Sequence, residues 1–103
     1  MVAHVRSFRR CVSFCTAASY NLPAMANLLK RTGFQVKLSR DVLHLVNSVR
    51  NEDIFFFDHG SFVCWGLTKK QEMQWVEEVK EFSNNPLPKI EMDNNDKKTT
   101  FCV

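Results

Sequence analysis

Residues 53–67 read DIFFFDHGSFVCWGL. The run is too short to cross a bilayer as a helix, which takes about 20 apolar residues. Residues 54–57 and 61–65 are rich in aromatic and β-branched side chains, and Asp58-His59-Gly60 separates them. A turn-forming Asp, a His that tolerates positive φ and a Gly suit a tight connection, so the stretch predicts a β-hairpin. Strand alternation sends Phe55 and Phe57 to one side, Ile54 and Phe56 to the other; Phe62 and Cys64 likewise oppose Val63 and Trp65. Apolar residues on both sides imply that both faces of the sheet are covered.

Outward from the hairpin, Gly66 is followed by Thr68-Lys69-Lys70-Gln71, a T-x-x-Q capping box that opens a helix. The helix is expected to run to about Phe82, with Trp75, Val76, Val79 and Phe82 inward and Glu72, Glu77, Glu78 and Glu81 mostly outward. Upstream, Cys11-Val12-Ser13-Phe14-Cys15 has the composition of a short strand. Asn21 can cap a helix whose first turn holds Pro23 and whose apolar face is Leu22, Met25, Leu28 and Leu29. Lys30 and Arg31 suit its last turn, and Gly33 supplies a left-handed stop. Phe34-Gln35-Val36-Lys37-Leu38 alternates as a half-buried strand does. Residues 41–49, DVLHLVNSV, fit a short helix slightly better than an irregular strand. From Pro86 onward the chain is polar and aperiodic, which predicts disorder.

The expected order is β-α-β-(short element)-β-β-α. This is an α+β domain with helices packed on one face of a mostly antiparallel sheet. Two modest helices cover one face only, so the domain is expected to be incomplete. Its second cover would come from another subunit, a partner or further sequence.

The 103 residues suffice for one small core. Charge is uneven: residues 1–40 hold seven Lys or Arg and no acid, while the remainder holds all eleven acids against seven bases. A basic, acid-poor start can signal a transit peptide or an anionic partner, although strand and helix patterning there equally fits a basic face. No signal-peptide or transmembrane run is evident. Cys11 and Cys15 share a face of a strand but lie about 13 Å apart at the usual rise, too far for a disulfide. With Cys64 they read as small core residues in a reducing compartment, and Cys102 as a tail thiol.

Catalytic, cofactor-binding and metal-ligating constellations are not found. His4, His44 and His59 fall in different elements without a carboxylate or thiol at motif spacing, and each of the three glycines fits a turn or cap. One nucleic-acid signal stands: Phe62-Val63-Cys64-Trp65 gives the closing half of the RNA-recognition-motif signature. The opening half is missing, with Asp58-His59-Gly60-Ser61 in its place.

Two segments together resemble the "required for meiotic nuclear division" family. Cys15, Thr16, Ala17, Tyr20 and Leu22 match its C-T-A-x-x-Y-x-L start. Phe55, Phe56, Phe57, Gly60, Val63, Trp65 and the following Gly66 match its hairpin. His59 departs from the polar residue usual before the glycine. The resemblance implies that residues 10–83 form the N-terminal half of the family domain and that residues 84–103 are a disordered, non-family tail of a truncated or alternative product. It further implies a non-enzymatic mitochondrial factor without cofactors that supports translation of mitochondrially encoded proteins. The implied partners are other copies of itself and the mitochondrial ribosome or inner-membrane proteins. The alternative is a small RNA-binding module of the RNA-recognition-motif type, with direct RNA binding.

Overall fold

The computed structural model describes residues 10–94. The N-terminal basic residues before Arg10, His4, and the tail with Cys102 lie outside that range.

Six strands form one open antiparallel sheet. They are β1 (Cys11–Tyr20), β2 (Gln35–Leu38), β3 (Val42–Asn47), β4 (Glu52–Phe57), β5 (Ser61–Trp65) and β6 (Ser83–Asn94). Their spatial order is β2-β3-β4-β5-β1-β6. Helices α1 (Leu22–Arg31) and α2 (Lys69–Glu78) complete the fold, the latter continued by a 3-10 turn over Val79–Phe82. This is the α+β class read from the sequence, with helices on one sheet face.

Local chemistry accounts for most of these elements. The Asn21 side chain accepts from the Ala24 N–H at 3.2 Å, and Pro23 stands in the first turn. Leu22, Met25, Ala26 and Leu29 recur at helical spacing and are all buried. At α2 both arms of the capping box form: Gln71 N–H donates to Thr68 Oγ1 at 3.2 Å, and Thr68 N–H donates to Gln71 Oε1 at 2.8 Å. In the β4–β5 hairpin Phe56 stands opposite Phe62 and Ile54 opposite Cys64. These four, with Val12 and Phe14 of β1, Leu43 and Leu45 of β3, and the inner faces of both helices, make the core.

Four expectations are corrected. Residues 41–49 do not form a helix: Val42–Asn47 is strand β3, paired on both sides, with Leu43 and Leu45 alternating into the core. Two ladders of backbone hydrogen bonds outweigh a weak local preference. The stretch Ser83–Asn94, expected to be largely disordered, is a strand along β1, pairing Tyr20 with Ser83 and Val12 with Asn94. Edge strands need few apolar residues because one side meets solvent, so its polar composition misleads. Glu72 points inward and is fully buried. In the hairpin turn, Gly60 takes the positive φ (+87°), and His59 does not.

Candidate functional site

The two motif segments meet at one joint. The Gly60 carbonyl accepts the N–H groups of Thr16 (3.0 Å) and Ala17 (3.2 Å), and the Asp58 carbonyl accepts that of Tyr20 (3.0 Å). The hairpin turn thereby grips β1 where its register with β6 shifts, between Cys15 and Ala17. A Cβ on Gly60 would lie 2.0 Å from the Ala17 carbonyl oxygen. Glycine is required there by both contact and backbone angle.

Thr16 and Tyr20 are buried beside this joint and share a 2.6 Å hydrogen bond between hydroxyls. Burial pushes the Tyr20 phenol up to about 12; the Thr16 hydroxyl pulls the other way, and the Cys15 and Cys64 thiols add to the rise. Burial also drives the Cys64 thiol well above its ordinary value, reinforced by the Glu72 carboxylate and the Cys11 thiol and opposed by the Arg10 guanidinium. A thiol held in its neutral form is a poor nucleophile.

At the far end of the hairpin, Gly66 N–H donates to the Arg10 carbonyl at 2.7 Å, and Arg10 clasps Glu72 with two hydrogen bonds. Trp65 is buried at this end, opposite Cys11 and Asp53.

The sheet face away from the helices carries Phe55, Phe57, Val63, Cys15, His44 and Ser61, all half-buried. Its aromatic rings have partners of their own. His44 stacks on Phe55 (centroids 4.2 Å, 8° between planes) and bonds Asp53 through Nε2 at 2.8 Å. His59 stacks on Phe57 at 5.5 Å, its Nε2 2.7 Å from Ser61 Oγ. The His44–Asp53 pair escapes a reading by motif spacing, because only the β3–β4 ladder brings the two together. Phe62 is buried in the core and Trp65 is buried too, so neither offers a ring face to a nucleic-acid base.

A groove of about 680 Å³ opens on the other side, between the end of α1 and the length of α2 from Gln71 to Glu78, over Leu45 and Ile54. None of the motif residues lines it. The motif and the groove thus point to different places, and the motif marks the framework. Among the described residues no group of three or more His, Cys, Asp or Glu is placed to hold a metal ion, and no helix is long and apolar enough to cross a membrane.

These features define a small antiparallel α+β domain whose motif residues lock a hairpin to its first strand. No family model matches the chain, and no solved structure matches it. The chain is similar to Sporulation protein RMD1 of Saccharomyces cerevisiae, with 22% identity over 117 aligned positions. The match covers 82% of this chain and 27% of the yeast protein, so the chain spans about a quarter of that relative. The yeast protein carries the name of the "required for meiotic nuclear division" family, in agreement with the resemblance of the two motifs.

Proposed function

We propose that this chain is a non-enzymatic mitochondrial factor. It supports translation of mitochondrially encoded proteins by associating with other copies of itself and with ribosomal or inner-membrane partners. The observation that carries this reading is the convergence of Thr16, Ala17, Tyr20 and Gly60 on one structural joint, with no motif residue in the groove. Motif residues spent on holding a scaffold together suit a protein that works through its surfaces. The similarity to the yeast relative supports the family from which compartment and process are taken.

Depleting the product of the parent gene and pulse-labelling mitochondrially encoded proteins tests the proposal. Reduced labelling is expected, with the protein recovered in the mitochondrial fraction. Unchanged synthesis, or a protein absent from mitochondria, overturns it.

A further inference from the structure

The two outer strands of the sheet, β2 and β6, each leave one edge without a strand partner among the described residues. Among the described residues, four of the six exposed large apolar side chains belong to these edges: Phe34 (41% exposed) and Leu38 (40%) beside and on β2, Ile90 (38%) and Met92 (53%) on β6. Such edges are templates for strand addition. On the helix face of β2, Leu38 pairs with core residue Leu43, and Val36 with Leu45; on that same face of β6, Met92 pairs with core residue Phe14. The opposite face carries Lys37, across from His44, and Glu91, across from Cys15.

We propose that the β6 edge of one copy adds to the β2 edge of the next, antiparallel, with Lys37 opposite Glu91. That register sets Val36 against Met92, apolar to apolar on one face, and Lys37 against Glu91, cation to anion on the other; Leu38 falls against Ile90, in the stretch where β6 shifts its register with β1. Pro86 and Pro88, which have no N–H to give, fall outside it. Pairing two β2 edges about a two-fold axis centred on this site would oppose Lys37 to Lys37, and pairing two β6 edges would oppose Glu91 to Glu91. Charge therefore selects the unlike edges. Because β2 and β6 run in opposite directions in the sheet, a copy displaced sideways continues it with antiparallel pairing throughout. The contact is head-to-tail and does not close on itself at two copies. This surface deepens the self-association proposed above and rests on that reading.

Sedimentation velocity of the whole chain at rising concentration tests the pairing. Average mass should climb through successive species rather than stop at a dimer, and should fall as salt rises. Lys37→Glu or Glu91→Lys alone should weaken association about tenfold, since an attractive cross-strand pair becomes repulsive. Lys37→Glu combined with Glu91→Lys in one chain should restore it. Circular dichroism of each variant checks that these exposed substitutions leave the fold intact. A monomer at every concentration overturns both self-association and its surface. A closed dimer, or assembly indifferent to Lys37 and Glu91, overturns the edge pairing alone and leaves self-association standing.

Discussion

Arg10 and Glu72 stand 62 residues apart in the chain and meet in a two-pronged ion pair, Nε to Oε2 at 2.8 Å and Nη2 to Oε1 at 3.0 Å. Glu72 is completely buried, while the Arg10 side chain keeps 29% of its exposure. The pair ties the start of β1 to the first turn of α2. Glu72→Ala should cost about 3 kcal/mol, the low end for a broken buried pair, because solvent still reaches the arginine. Replacing both residues by apolar side chains of similar size should recover most of that loss. Urea unfolding of the two variants measures the difference; equal losses would mean that packing, and not the lost ion pair, sets the cost.

Gly60→Ala should be among the most damaging single changes in the chain. The added methyl carbon would overlap the Ala17 carbonyl, and φ of +87° is unfavourable for alanine. Backbone strain and overpacking each cost about 1–3 kcal/mol, so a loss of about 3 kcal/mol or more is expected. A thermal melt within a degree or two of the parent would show that the joint yields.

The two sheet faces should respond differently to truncation. Phe56 is fully buried between Phe62 and Trp75, whereas Phe55 is half-buried beneath the His44 ring. Phe56→Ala should cost about 3–5 kcal/mol. Phe55→Ala should cost less than half as much, since part of the ring is already wet. Comparable losses would mean that the second face is covered as completely as the first.

Stability should fall at alkaline pH. Tyr20 and Cys64 both hold their protons more tightly in the folded chain than at their ordinary values of 10.0 and 9.0. The unfolded chain therefore ionises first. The stabilisation is fully present below about pH 9 and is lost as pH rises, with the tyrosine's share disappearing between 10.0 and about 12. Tyr20→Phe should flatten the tyrosine part of that decline, while forfeiting about 1 kcal/mol from the Thr16 hydrogen bond at neutral pH. Denaturant midpoints measured from about pH 8 to about pH 11.5 would read both effects.

Elements with short-range signals could be read from sequence, and those that depend on distant partners could not. The hairpin, the Asn21 cap and the Thr68–Gln71 box rest on residues within a few positions of one another. Strand β3 has apolar residues compatible with either period, and only its pairing with β2 and β4 decides between them. Strand β6 looks like a linker because two prolines and several polar residues suffice for an edge held by β1. Glu72 misleads for another reason. Its spacing to Val76 and Val79 puts it on the inward face, but its charge argues for solvent until Arg10 arrives from far upstream. The motif residues were recognisable as a set, yet the joint between Gly60 and Thr16 depends on how β1 and the hairpin pack.

The β1–β6 ladder brings Val12 of the first strand opposite Asn94 of the last, and the two strands run antiparallel from there. Tension applied through the chain on either side of residues 10–94 would peel these strands apart from that corner. Hydrogen bonds in such a geometry rupture one after another, and none shares the load with its neighbours. The domain should therefore come undone under a pull far gentler than its resistance to heat would suggest. It would give way first at β6, leaving the five strands from β2 to β1 still joined.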